Sequence, residues 1–159
     1  MLLYHGSNVE VSHPRLLRSD RRLDFGSGFY LTSSFEQASR WASLTTRRRG
    51  RGNAQISVFE FDETSLQGLN VLEFHGANAD WLRFVSTNRN GTPEQPDFDI
   101  VIGPVANDNT MPVLRRYFAQ IYTEEEAIKR LMTQKLKDQY AFKTKDALDV
   151  LLFKEVVAA

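Results

Sequence analysis

Residues 24–41 read DFGSGFYLTSSFEQASRW. Two glycines, Gly26 and Gly28, flank Ser27 and lead into Phe29-Tyr30-Leu31-Thr32, a run of the kind found in a buried strand. Ser33 and Ser34 follow as candidate N-caps, because a serine hydroxyl accepts from the unpaired amides of a helix's first turn. The helix they predict runs from about Phe35 to Leu44, with Ala38, Trp41 and Ala42 on one face and Trp41 eleven residues after Tyr30. A second stretch resembles the first in design. Leu2-Leu3-Tyr4 is an apolar run closed by His5-Gly6-Ser7-Asn8, again a strand ending in polar groups and a turn. Polar side chains at strand ends project into clefts more readily than into cores, so these two ends are the candidate site.

Composition sets the limits. A chain of 159 residues fits one domain, taken here as 1–159, and 42% hydrophobic with 25% charged residues is the balance of a globular protein. No apolar run approaches the roughly 18 residues needed to span a bilayer, and the MLLYHGSNVE terminus lacks the basic start of a secretory signal. With no cysteine there is no disulfide, thiolate nucleophile or Cys-ligated zinc, so a cytoplasmic setting without membrane association is expected. Lys plus Arg equals Asp plus Glu at 20 each, so no global field favours nucleic acid. The local exception is Arg47-Arg48-Arg49-Gly50-Arg51, read as a solvated loop or, functionally, as a grip on an acidic protein or a nucleic-acid backbone.

The remaining chain alternates short strands with helices. Strands are expected at Ile56–Phe61, Val71–Phe74, Ile100–Ile102 and Gln139–Thr144, and helical spacing at 79–88. Pro112 precedes a further helix, Thr123 with Glu126 forms a capping box for another, and Lys145–Phe153 reads as a short helix or a second strand. The class is α+β.

At the residues YHGS and FGSGFYLTSSFEQASRW the chain resembles the H-Y-E class of ADP-ribosyltransferases, the diphtheria-toxin and poly(ADP-ribose) polymerase group. It is also similar, over most of its length, to a bacterial family of uncharacterised domains with LYHGS, DFGxGFYLT and QAxxWA motifs. The resemblance implies two short, mostly antiparallel sheets packed around an NAD⁺ cleft, with helices inserted. It also implies transfer of mono-ADP-ribose from NAD⁺, a co-substrate needing no metal, to a macromolecular acceptor. His5 would orient the nicotinamide ribose through a hydroxyl, Gly6 and Ser7 would bind the carboxamide, and Tyr30 and Trp41 would flank the cationic ring. Cleavage through an oxocarbenium-like cation is then mainly positioning and charge stabilisation. A toxin or effector role in bacteria, with a neutralising antitoxin, is a further implication.

The third triad position departs from the pattern. The family's glutamate opens a late strand, and the matching stretch Asp138-Gln139-Tyr140-Ala141-Phe142 places Gln139 there. Glutamine accepts a hydrogen bond but carries no charge and takes no proton, which disfavours chain elongation. Mono-ADP-ribosylation, slow NAD⁺ hydrolysis and simple NAD⁺ binding in a sensor or interaction module stay open. A carboxylate from elsewhere is a further alternative: Asp97, Asp99 or Asp108 around the IVIGP strand, whereas Asp138 should face the other side from Gln139.

Each motif also has a plainer reading. His5 alone reads as a turn histidine, Tyr30 as a core tyrosine with a satisfied hydroxyl, Trp41 as helix packing, and Gly26 and Gly28 as a bulge. Asp24-Phe25-Gly26 matches a kinase magnesium motif in letters but lacks every companion segment. His13 and His75 are too far apart for a metal site and are expected at the surface.

Overall fold

A computed structural model describes residues 1–17, 21–91 and 98–159. The strands are β1 (Leu2–Ser7), β2 (Phe29–Leu31), β3 (Gln55–Phe61), β4 (Val71–Glu73), β5 (Ile100–Pro104), β6 (Asp138–Phe142) and β7 (Leu151–Ala158). The α-helices are α1 (Phe35–Arg49), α2 (Ala79–Asn90), α3 (Met111–Phe118), α4 (Glu124–Leu131) and α5 (Lys145–Leu148), with a 3₁₀ turn at Glu63–Leu66. One sheet has the order β1-β3-β7 and the other β2-β6-β5-β4, antiparallel throughout except the parallel β4–β5 pair. Both expected possibilities for 145–153 occur in succession, α5 and then β7.

Alternation along the strands makes four layers, because successive side chains of a strand leave opposite faces. Between the sheets lie Leu3, Phe59 and Phe61 from one and Phe29, Leu31, Ile100 and Phe142 from the other, all buried. The outer face of the second sheet, with Val101, Ala141 and the partly buried Tyr30, is covered by Trp81, Leu82 and Val85 of α2 and by Leu114, Ala127 and Leu131 of α3 and α4. On the outer face of the first sheet, Ala38 of α1 packs on Ile56 and Val58, flanked by Tyr4 and Val157.

Helix α1 starts where the sequence predicts. Ser34 is the N-cap, its hydroxyl accepting from the Gln37 amide at 3.2 Å. Its end is different: the helix continues through Arg47, Arg48 and Arg49 and stops only at Gly50, in the left-handed region at φ 65°, whose N–H donates to the Thr46 carbonyl. The arginine stretch is therefore a helix terminus rather than a loop. Three cations in a last turn are favourable there, since the carbonyl end of a helix carries partial negative charge.

Candidate functional site

Among the described residues the two sheets meet at one rung. Tyr4 of β1 and Thr32, just after β2, exchange both backbone hydrogen bonds at 2.8 and 3.0 Å. On its other edge β1 pairs with β3, and Met1 and Phe61 exchange their bonds there at 2.9 Å. In an antiparallel ladder the N–H and C=O of one residue point to the same side and alternate along the strand. Odd-numbered residues of β1 therefore turn their backbone toward β3, and even-numbered ones toward β2. Gly6, two residues beyond Tyr4, presents both a donor and an acceptor to the side of β2, in line with Tyr30.

A continued ladder would join Gly6 to Tyr30, and His5 prevents it. The His5 imidazole reaches from β1 to the Tyr30 carbonyl, with Nδ1 at 2.7 Å, and its ring stacks on Phe29 at a centroid distance of 4.1 Å. A carbonyl only accepts, so Nδ1 carries the proton and Nε2 keeps its lone pair. Burial, opposed by the bond to Tyr30 and assisted by the positive charge of Arg49, lowers the His5 pKa to about 4. At neutral pH His5 is thus an uncharged ring with one nitrogen committed and the other an acceptor.

Gly6 also lacks a Cβ for a packing reason. A Cβ there would lie 1.9 Å from the Ala38 carbonyl oxygen and 2.8 Å from the Ala42 nitrogen, so α1 crosses β1 directly on this residue. Trp41, half-buried, is the residue before Ala42 on this turn of α1. Ser7 is buried, and its hydroxyl makes a long 3.4 Å bond to Asn8 Oδ1. Asn8 is in turn held by Arg49 Nη1 at 2.8 Å and by its own amide donating to the Arg51 carbonyl at 3.1 Å. The end of β1 and the end of α1 are tied together through Asn8. Arg48 beside them has its pKa lowered by desolvation and by the charges of Arg21 and Arg49.

Tyr30 is directed to the outer face of its sheet, and its hydroxyl closes the preceding loop: it donates to the Gly26 carbonyl at 2.6 Å and accepts from the Phe25 amide at 3.1 Å. Gly26 itself needs the left-handed conformation, at φ 77°. Burial, then the nearby Asp24 charge, raises the Tyr30 pKa, so it is a neutral phenol at any ordinary pH. Lys143 pins the same loop, donating to the carbonyls of Phe25 and Ser27 at 2.6 Å each. Burial lowers its pKa to about 8.

Gln139 lies on the outer face with Tyr30 and is 3% exposed. Its amide nitrogen donates to Asp24 Oδ2 at 2.8 Å and to the Pro104 carbonyl at 3.2 Å. Asp24, also 3% exposed, accepts in addition from the Ala106 amide at 2.9 Å and pairs with Arg89 near the end of α2. The sequence reading missed Asp24 and Arg89. Asp24 belonged to the motif only as the first letter of a discounted kinase match, and nothing local links it to a strand 115 residues away.

The carboxylates proposed as substitutes are placed elsewhere. Asp138 faces away from Gln139, as expected from strand alternation, and accepts from Thr32 Oγ1 at 3.0 Å, the Ser33 amide at 2.8 Å and the Ser33 hydroxyl. Asp99 precedes β5 at the end opposite Gly103, which pairs with Gln139, and accepts from the Asn70 amide and the Thr144 hydroxyl at 2.8 and 2.6 Å. Asp108 is exposed and pairs with Arg40 of α1. Asp97 lies outside the described residues.

His13 and His75 are exposed, and among the described residues no cluster of three or more acidic, histidine or cysteine side chains could hold a metal. Concavities of about 410 and 470 Å³ lie at Tyr117, Tyr122 and Ser86 and at His75, Ile128 and Met132, respectively, away from the His5–Tyr30 junction. Among the described residues no helix is long and apolar enough to cross a membrane.

No curated protein and no solved structure matches the chain. A family model described as a protein of unknown function (DUF3990) matches residues 1–153, nearly the whole of the chain, and the chain belongs to that family.

Proposed function

We propose that this domain is a mono-ADP-ribosyltransferase that uses NAD⁺ to modify a macromolecule. The observation carrying the reading is the junction of β1 and β2, where one residue's backbone offers a donor and an acceptor beside a histidine with a fixed tautomer. A nicotinamide carboxamide needs one donor and one acceptor side by side, and the Gly6 edge supplies both. His5 Nε2 would accept from a ribose hydroxyl. Trp41, on the turn of α1 that crosses Gly6, would cover one face of the cationic ring, while Tyr30, turned to the outer face of its sheet, would act by holding the preceding loop. Ser7, engaged with Asn8, would shape the end of the site rather than donate freely.

NAD⁺ supplies a glycosidic bond that breaks with its electron pair leaving on neutral nicotinamide, so that the acceptor's nucleophile can form the new bond to the ribose carbon and lose its proton to solvent. What the chain contributes is orientation and a neutral, half-buried site. Gln139 contributes an acceptor without charge, which suits a single transfer and a modest rate. The acceptor surface assigned here is the end of α1, where Arg47, Arg48 and Arg51 are exposed and lie next to Arg49 and Asn8 at the rim. An anionic acceptor, protein or nucleic acid, fits that surface. A bacterial toxin or effector restrained by a neutralising partner is the biological setting this activity would have.

The specific observation favouring a second reading is the closed loop over Tyr30, fastened by Tyr30 and Lys143. In that reading the domain binds NAD⁺ without turnover, as a sensor. Incubating the purified domain with NAD⁺ labelled in the adenylate, alone and with lysate, tests both. Nicotinamide release with label on protein or nucleic acid supports the transferase and names its acceptor class. NAD⁺ binding without release supports the sensor, and neither binding nor release removes both.

A further inference from the structure

Gln139 is a buried amide whose two ends are treated differently. Both N–H groups are used, on Asp24 Oδ2 and the Pro104 carbonyl. Oε1 has no hydrogen-bond partner among the described residues, and no fully buried side-chain polar atom among them lacks one. The small exposed part of Gln139 therefore includes Oε1. The amide cannot turn over: reversing it would set Oε1 against a carboxylate oxygen and a carbonyl oxygen, two acceptors facing a third. Asp24 in turn is held from behind by Arg89 and the Ala106 amide.

We propose, resting on the transferase reading above, that Asp24 and Gln139 form one carboxylate–amide unit in which Asp24 is the positioning residue that keeps Gln139 Oε1 outward as the acceptor for a ribose hydroxyl. The negative charge that a glutamate would carry at position 139 sits one hydrogen bond deeper, at Asp24, where Arg89 balances it. Polarisation of the amide by Asp24 strengthens Oε1 as an acceptor, since charge at one end of a hydrogen-bonded chain reinforces the next bond.

This inverts the obvious engineering expectation for the site. Gln139→Glu would place a carboxylate where only acceptors, Asp24 at 2.8 Å and Pro104 at 3.2 Å, surround it, and like charges so close cannot both ionise. Installing the family's glutamate should therefore lower NAD⁺ cleavage instead of raising it. Asp24→Asn combined with Gln139→Glu restores a donor facing an acceptor between the two positions, although it leaves the Ala106 N–H facing a donor. Partial recovery is expected.

The test uses the whole domain and two readouts. In ¹⁵N-labelled protein the Gln139 side-chain amide should show two slowly exchanging protons, and Asp24→Ala, which leaves no acceptor at the Oδ2 position, should abolish that protection. In nicotinamide-release kinetics Asp24→Asn should lower kcat by about tenfold or more while KM for NAD⁺ changes little, as for a group acting mainly in the transition state. Gln139→Glu should lie below the native domain and the double variant between them. Unchanged Gln139 amide signals in Asp24→Ala, or a faster Gln139→Glu, would overturn the unit. Should Asp24→Asn fail to fold, Gln139→Met, which keeps the volume and removes the acceptor, must lose release at a temperature where it remains folded, and retained release would equally overturn the proposal. A native domain that neither binds nor cleaves NAD⁺ defeats the transferase reading instead. The amide-exchange result then still decides whether Asp24 fixes Gln139.

Discussion

Gly6 carries two demands at once, a backbone edge facing β2 and a helix lying on its Cα. The second is testable without any ligand. A methyl group at this position would meet the Ala38 carbonyl at 1.9 Å, and backbone atoms, unlike the tip of a side chain, cannot step aside locally. Gly6→Ala should displace α1 and cost about 1–3 kcal/mol or more, the usual range for overpacking a filled interior. A denaturation midpoint equal to the native protein's would show that the crossing is looser than described. Tyr30→Phe separates chemistry from architecture at the neighbouring position. It removes the bonds to Gly26 and Phe25 and leaves two backbone groups of the loop without partners, a loss of about 1–3 kcal/mol. Activity lost in this variant supports a role for the Tyr30 hydroxyl at the site only where urea denaturation shows the domain still folded, with Lys143 left to hold the loop, so stability and nicotinamide release must be measured together.

At the scale of elements, α1 links the site to the acceptor surface. It begins at the Ser34 cap, crosses Gly6 at Ala38 and Ala42, and ends in the arginine turn, so one rigid rod places Trp41 and the cations together. Arg49 belongs to the frame through Asn8, whereas the Arg47 and Arg48 side chains are free of that tie. Replacing Arg47, Arg48 and Arg51 by alanine while sparing Arg49 should abolish labelling of an anionic acceptor, leave NAD⁺ cleavage in water intact, and reduce the salt sensitivity of labelling. Equal loss of cleavage and labelling would move the acceptor surface elsewhere. The elements were largely legible in the sequence because local rules set them: apolar runs mark the strands, and the Ser34 and Thr123 caps mark helix starts. The end of α1 was hidden because an arginine run looks solvated in isolation, and only the later Gly50 stops the helix. The junction motif was legible too, since His5, Gly6 and Tyr30 sit at strand ends within 25 residues of one another. The Asp24–Arg89–Gln139 network was not, because buried pairing between distant segments leaves no periodic trace.

Among the described residues the two sheets are joined by one backbone rung, a shared apolar layer and the His5 imidazole, which couples their stability to pH. In the unfolded chain His5 titrates near its ordinary 6.5, and in the fold near 4, because burial disfavours the cation. Between those values the unfolded state binds the proton first, so stability must rise with pH across this window. Above about 6.5 the contribution is complete, and it is lost progressively as pH falls from there to about 4, on the order of 3 kcal/mol in all. The His5 share is isolated by difference against a variant that lacks the imidazole. Denaturant titrations of the native domain and His5→Asn at pH 7, 5.5 and 4 provide it. The native-minus-variant stability should shrink steadily over this range, while above pH 7 it stays level. A difference that is flat from pH 7 to 4 would mean that the folded ring takes up a proton as readily as the unfolded chain does, so that His5 is not held as a buried neutral acceptor. The same titration therefore bears on stability and on the role assigned to His5, because both require the neutral ring wedged between β1 and β2.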